Sequence, residues 1–409
     1  MNRSRTVLTS LIVALLFVMV IGNSVTAYDG YHHEVRVLIG QSSSVSATVT
    51  SGSYQVLNQN GGYVSTVSAG SSASLSQGMT LSSVDGNGRF SWNGTEYRGD
   101  LVLAGGNVVN HLGMEEYLYS VVMMELGAGA PGVEALKAQA IACRNFAFYR
   151  LENPRNTDYD LNRTSDQSYG GYTSEKYNEI IGARVREAVD GTRDQVMFYD
   201  GKLIVANYMA NAGGHTENGE NVWGGNSPYL MGIRCPWDAY PYIADTGSYT
   251  ALKMPNGYEW TYMISCSDLA AKVPSIGSVT DVTVDHGDCV SGYVSSVTVW
   301  GTKGSKSYTG AQFRSLLGLR SSSFEIMVDK SIASKQYASS DYISTDSFDT
   351  AFDVSGNMIT IYGKGYGHSV GMSQWSACVM ADEGYDYRYI LNYFYNQNLN
   401  NGRLVIRSY

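Results

Sequence analysis

The sequence predicts an α+β fold, rich in β-sheet, with a pair of helices lining a substrate groove. Three observations carry that prediction. A Ser-, Thr- and Gly-rich first part alternates in the two-residue period of half-buried strands, the middle switches to helical periodicity, and short strand-like runs then return. Charged residues make up 16% of the chain against the ~25% usual for soluble domains, while 45 glycines and 32 tyrosines suit turn-rich sheets with polar surfaces.

The first element is a leader. MNRSRTVLTSLIVALLFVMVIGNSVTA sets Arg3 and Arg5 before an apolar stretch and a small-residue Val25-Thr26-Ala27 site, the pattern of a secretory signal over residues 1–27. The apolar stretch is shorter than the ~20 residues that cross a bilayer comfortably, so membrane attachment is expected only if the segment stays uncleaved. Without the leader, 26 basic side chains face 37 acidic ones, a net charge of −11. No basic stripe of the kind that binds nucleic acid accompanies that balance. The five cysteines show no C-x-x-C spacing, and their odd number leaves at least one thiol free. Cys143 reads as core, and any pairing among Cys235, Cys266, Cys289 and Cys378 stays open.

Residues 28–110 read as an N-terminal β-rich region. His33 to Ile39 alternates, and RFSWNGTEYRG forms a hairpin in which Phe90, Trp92 and Tyr97 flank Asn93-Gly94, the pair best suited to a type I′ turn. Residues 111–409 read as a second region. Met114 to Leu126 is helical, Gly127, Gly129 and Pro131 interrupt it, and Pro131 is expected near the first turn of the next helix. From Val133 the residues Leu136, Ala140, Cys143 and Ala147 share one face, with small side chains that allow close packing, and Asn153-Pro154 ends the run.

A tyrosine-bearing loop, DLNRTSDQSYGGYTSEKY, comes next, followed by a helix around Tyr177 to Val189 and a hairpin from Val196 to Tyr208 turning on Asp200-Gly201. ANAGGHTENGENVWGGNSPYL then reads as a long functional loop. Residues 259–326 give short strands and one helix near Gly310 to Leu317, and 329–355 looks like an insertion. The strand Met358 to Tyr362 leads into a glycine-rich turn and a last helix within GKGYGHSVGMSQWSACVMADEG.

Several motifs can be weighed and set aside. GKGYG has His368 where a dinucleotide fingerprint needs its final glycine, and it stands only about 40 residues from the end of the chain. GHSVG matches the nucleophile elbow of serine hydrolases, but those enzymes place their histidine after the serine and none of the six histidines follows Ser369. Zinc would need scattered ligands such as His215 and His368, since neither H-E-x-x-H nor paired cysteines occur.

Glu125 is the strongest chemical candidate. It ends an apolar helical run beside Met123, Met124 and Leu126, and both the apolar neighbours and the negative end of a helix favour a protonated carboxyl, as a general acid requires. The alternative is a solvent-facing glutamate at a frayed helix end. Glu115 and Glu116 sit in the first turn of the same run, where carboxylates stabilise the helix dipole, so a structural role is expected for them. Tyr169, Tyr172, Tyr208, Trp223, Tyr229 and Trp375 can stack on sugars or simply pack.

The stretch MEEYLYSVVMMELGAGAPGVEALKAQAIACRNFAFYR resembles the signature of the sporulation stage II protein D (SpoIID/LytB) family, with its L-E-D-Y-L-x-G-V-V-x-x-E and E-A-L-K-A-Q-A-x-A-x-R elements. SYGG at 168–171, ANAGGHTE at 210–217, VWGGNSPYL at 222–230 and GKGYGHSVGMSQWSA at 363–377 resemble its later blocks, in order. The resemblance implies a peptidoglycan lytic transglycosylase acting on glycan strands whose stem peptides a partner amidase has removed. The family's essential glutamate falls on Glu125, which would protonate the oxygen between N-acetylmuramic acid and N-acetylglucosamine and then accept the muramyl 6-hydroxyl proton to form a 1,6-anhydro ring.

Further roles follow from the same resemblance. Gln139 and Arg144 are expected to hydrogen-bond the acid or substrate. Tyr208, Asn211, Gly213, Gly214 and Thr216 would form one groove wall, and His368, Ser369 and Gln374 another. Some family members hold a metal near the block matching 158–169, but DYDLNRTSDQSY has no Cys or His, so neither zinc nor another cofactor is expected. SQWSA also departs from the glycine common after that aromatic. The expected place is secreted or cell-wall associated, on the outer face of the cytoplasmic membrane. The alternative function is a non-catalytic enhancer of an N-acetylmuramoyl-L-alanine amidase.

Overall fold

The computed structural model describes residues 34–329 and 358–409, so the leader and nearly all of the 329–355 insertion lie outside the described residues. The chain is α+β, with many strands in several sheets and helices concentrated after residue 113. Its described residues divide into two compact units, one of Glu34 and Gly40–Met114 and the other of Val35–Ile39 and Glu115–Tyr409.

The first unit is all β. Val45, Ala47 and Val49 point inward while Ser46 and Thr50 face solvent, the two-residue alternation expected of a strand with one buried face. One antiparallel sheet runs in the order Asn107–Gly113, Asp100–Ala104, Thr80–Ser83, Ser53–Leu57, Tyr63–Ser68; the other runs Ser72–Leu75, Val45–Ser51, Arg89–Trp92, Thr95–Arg98. Aromatic rings join them. Tyr54 of the first sheet meets Phe90 of the second edge-on at 6.2 Å, and Phe90 stacks on Tyr97 at 5.5 Å. The hairpin between the last two strands turns on Asn93 (φ 48) and Gly94 (φ 77), the two positive φ values of a type I′ turn.

In the second unit the strand segment Val35–Ile39 pairs in parallel with Leu161–Asn162. Its central element is the helix Val133–Glu152, which is buried on nearly every face and packs against the helices Glu179–Asp190, Gln374–Asp382 and Tyr387–Asn396 and the strand Gln195–Tyr199. Asn145 clamps the neighbouring hairpin, donating to the carbonyls of Met197 and Ile204 and accepting from Met197 N–H at 2.7 Å. That hairpin turns on Asp200 and Gly201 as expected, although its second strand is only Lys202–Leu203. Pro131 does not enter the helix; it precedes the N-cap Gly132.

A second core in this unit gathers Trp260, Leu269, Val299, Phe313, Phe324 and Ile361. Around it lie the antiparallel sheet Glu259–Ser265, Met358–Lys364, Ser323–Asp329 and the meander Val279–Asp285, Ser296–Gly301, Gly304–Thr309. The helix Gly310–Leu317 forms as predicted, started by a capping box between Thr309 and Gln312. A second helix, Cys266–Lys272, was not expected; Ser265 caps it by accepting from Asp268 N–H. Among the described residues no helix is long and apolar enough to cross a membrane, and all five cysteines are free thiols.

Candidate functional site

Glu125 is the last residue of the helix Met114–Glu125, and it is half-buried. One carboxyl oxygen, Oε1, accepts the backbone N–H of Ser168 at 2.6 Å, which supplies the partner that the helix end itself lacks. The glycines behind it permit tight packing. A Cβ at Gly127 would stand 2.9 Å from Val185 Cγ2, and one at Gly129 would stand 2.7 Å from the Tyr242 hydroxyl, which donates to the Gly129 carbonyl.

A closed circuit of contacts surrounds the acid. Gln374 Nε2 lies 3.2 Å from the Glu125 carbonyl and 3.3 Å from Gln139 Oε1; Gln139 Nε2 reaches Cys143 Sγ at 3.1 Å; and Cys143 Sγ meets the Tyr208 hydroxyl at 3.5 Å. Gln167 Nε2 donates to that same hydroxyl at 3.0 Å, its Oε1 accepts from Tyr117, and its neighbour Ser168 returns the circuit to Glu125. Gln139, Cys143 and Gln167 are buried, so they hold the site together from behind; Glu125, Tyr208 and Ser168 are the members with more open faces.

The electrostatics agree with this placement. Burial, with the Glu125 charge next, pushes the Cys143 thiol up to about 12. Burial likewise drives the Tyr117 and Tyr208 phenols well above their ordinary values, and the charges of Cys143 and Glu125 add to it in both. These phenols and the thiol are neutral hydrogen-bonding groups near neutrality.

Three of the predicted site residues, Gln139, Tyr208 and Gln374, therefore gather at Glu125. Arg144 does not. It is fully buried and binds Glu115 through two bonds, Nε to Oε1 at 2.9 Å and Nη2 to Oε2 at 2.6 Å, with the Gln195 carbonyl at 3.0 Å. Glu115, expected to act on the helix dipole, is thus the buried partner of an arginine 29 residues on.

The two glycine-rich blocks meet each other. Tyr208 and Met209 pair in parallel with Met372 and Ser373, and Asn211 exchanges backbone hydrogen bonds with Tyr366. Asn211 is buried and donates to the Asp238 carbonyl. Gly213 (φ 72) brings its backbone so close to Lys364 and Gly365 that a Cβ would lie 2.6 Å from Gly365 N. Gly214 N–H donates to Asp238, and the Thr216 hydroxyl accepts from Ile233 N–H at 2.8 Å. Ser369 is buried in the left-handed region (φ 69), and its carbonyl accepts Glu217 N–H at 2.6 Å.

His368 Nδ1 accepts from Val370 N–H at 3.2 Å, and its ring lies 5.0 Å from that of Trp223. Burial lowers its pKa to about 4, against a hydrogen bond with the Tyr208 backbone that acts the other way. Of the six aromatic candidates, Trp223 is the most exposed, with 52% of its surface open; Tyr172, Tyr208, Tyr229 and Trp375 are half-buried, and Tyr169 is buried against Tyr117.

Asp238 is a site-organising residue that sequence reasoning missed. Fully buried, it accepts from Ala212 N–H (2.9 Å), Gly214 N–H (3.2 Å), Ser373 Oγ (2.5 Å) and Ser376 Oγ (2.7 Å), and so ties the 210–216 loop to the start of the helix Gln374–Asp382. Burial raises its pKa despite those donors. Gln167 and Ser168 were missed as well; Ser168 acts through its backbone, which no residue type announces.

The family model described as stage II sporulation protein matches residues 104–199, the stretch that contains Glu125, Gln139, Cys143, Gln167 and Ser168. An uncharacterized protein of Brachyspira hyodysenteriae is 32% identical over 330 residues, covering 78% of this chain and 75% of its own. The stage II sporulation protein D of Bacillus amyloliquefaciens is 27% identical over 299 residues, 70% of this chain and 74% of its own. The chain belongs to the SpoIID/LytB family. Within it, the amidase enhancer of Bacillus subtilis is 27% identical over 291 residues, 64% of this chain but 37% of that longer protein.

Proposed function

We propose that this cell-wall protein is a lytic transglycosylase that cleaves the bond between N-acetylmuramic acid and N-acetylglucosamine in peptide-denuded peptidoglycan strands. The observation that carries the reading is the single half-exposed carboxyl of Glu125, fixed by one backbone N–H on Oε1 inside a circuit of neutral groups. Among the described residues no hydrogen bond reaches Oε2. That oxygen is free to give a proton to the glycosidic oxygen and then to take one from the muramyl 6-hydroxyl, closing the 1,6-anhydro ring. The same carboxyl serves both steps, so no water is activated and no second carboxylate is needed, unlike in a hydrolase.

On this reading the protein works outside the cytoplasm, secreted or associated with the wall. The amidase enhancer among its relatives supports an amidase as functional partner, and also gives the second reading, a non-catalytic enhancer. Mass spectrometry of denuded strands incubated with the protein separates the two. The expected result is anhydro-muramyl products that fall by a factor of at least ~100 in Glu125→Gln, the scale of a general acid–base contribution. Intact strands with the unaltered protein, or undiminished products with the variant, overturn the transglycosylase.

A further inference from the structure

Arg314 is a half-buried cation with no carboxylate partner among the described residues. It projects from the helix Gly310–Leu317, and its only hydrogen bond to the described protein runs from Nε to the Leu319 carbonyl at 3.2 Å. The groups within electrostatic reach of its guanidinium are aromatic: Tyr293, Tyr366 and His368. Burial lowers its pKa, as expected for a guanidinium taken from water without a counter-ion. A charge placed so usually has a partner, and this one has none among the described residues.

The surroundings suit a sugar. Arg320, exposed two residues beyond the helix cap Gly318, stands 5.9 Å over the ring of Tyr366, which is itself 45% exposed, and the Arg320 carbonyl accepts Gly367 N–H at 3.0 Å. Trp223, half-exposed, leans on His368, whose ring hydrogen-bonds the backbone of Tyr208. Tyr208 is a member of the circuit around Glu125, so this cluster adjoins the proposed cleavage site along one strand. Glu217, whose charge acts on the neighbouring Tyr293, is buried and satisfied by Asn218, Asn221, Val290 and Ser291.

We propose that Arg314, with Arg320 beside it and the rings of Tyr366 and Trp223 as platforms, is a subsite for an anionic sugar, the muramyl residue whose lactyl carboxylate has been freed by removal of its peptide. The inference rests on the proposed function and supplies its selectivity. A peptide-bearing muramyl group has a neutral amide at that position, whereas the denuded one has a carboxylate, which a guanidinium can bind through two parallel hydrogen bonds. In a chain of net charge −9, two arginines with no acidic partner among the described residues concentrate positive potential on one place.

The test uses the full chain carrying Glu125→Gln, so that strands bind without being cut. Affinity is measured for denuded glycan strands and for the same strands with their lactyl carboxylates converted to methylamides. The expected result is a preference of at least about tenfold for the carboxylate form, lost in Glu125→Gln/Arg314→Met and partly kept in Glu125→Gln/Arg314→Lys, which retains the charge. Binding of the methylamide strands should change less than about twofold between these variants, which also shows that each is folded. Equal affinity for the two strands in the parent, or undiminished preference in Arg314→Met, overturns the inference. If the unaltered protein releases no anhydro products while the Arg314-dependent preference persists, the enzyme reading fails and the subsite stands; products without the preference give the reverse.

Discussion

Replacing Asp238 tests whether one buried carboxylate holds the site's two glycine-rich blocks together. Asp238→Ala leaves four donors facing a small void: the N–H groups of Ala212 and Gly214, fixed by their backbone, and the hydroxyls of Ser373 and Ser376, which can rotate. Each orphaned buried N–H costs about 1–3 kcal/mol, while losing a charge that burial disfavours gives part of that back. The net expectation is a loss of about 3–4 kcal/mol. Asp238→Asn keeps the shape. Its Oδ1 can face the two N–H groups while its Nδ2 donates to the hydroxyls, so only charge assistance is lost and the cost falls to about 1 kcal/mol. Urea unfolding at pH 7, extrapolated linearly to water, reads the difference between the variants. If Ala and Asn lie within about 0.5 kcal/mol of each other, or Ala costs less than about 1 kcal/mol, the hub does not work as described.

The other predictions address the core and the histidine. Arg144→Met strands Glu115 as a buried unpaired acid and should cost about 3–5 kcal/mol, whereas Arg144→Met/Glu115→Leu should recover most of the loss; a double variant no better than the single refutes the pairing. His368 stays neutral in the fold down to about pH 4, while the unfolded chain takes up its proton near 6.5. The unfolded state then binds more protons in that window, so stability from this group is complete above pH 6.5 and declines toward pH 4, by about 3 kcal/mol at most. His368→Asn should flatten the pH dependence of the unfolding free energy across the window, and unchanged slopes would count against the buried neutral ring.

Much of the fold was legible because its signals are local. Asn93-Gly94 fixes its own hairpin through two positive φ values, and the helices before and after Gly127–Gly129 announce themselves by periodicity and a glycine break. Pro131 misled because a proline just outside an N-cap and one just inside it look alike in sequence. The gathering of Gln139, Tyr208 and Gln374 near Glu125 joins residues that the sequence had singled out, whereas the arrangement was illegible where tertiary contacts decide. Asp238, in PWDAY, has no pattern around it that marks a buried carboxylate with four donors. Glu115 looked like a first-turn dipole residue, since the arginine it meets comes from a different helix. The Arg314 cluster could not be read either, for its members come from 223, 314, 320 and 366 and no spacing relates them.

The fate of Arg144 bears on the acid role proposed for Glu125. A guanidinium placed against a carboxyl binds its ionised form and holds the proton away, which suits a nucleophile or a structural ion pair and works against a proton donor. The helix Val133–Glu152 carries both Gln139 and Arg144, and it turns the amide toward the Glu125 circuit while Glu115 takes the guanidinium at the other end of the neighbouring helix. Every side chain in the circuit is then an amide, a thiol or a phenol, able to hold geometry without imposing charge. Cationic binding is displaced to Arg314, in a separate cluster reached through Tyr208 and His368, where an anionic substrate can be recognised without touching the acid. The two demands on such a site, a proton donor free of counter-charge and a cation for a charged strand, conflict at close range, and on the proposed reading this fold meets them by putting them in different places.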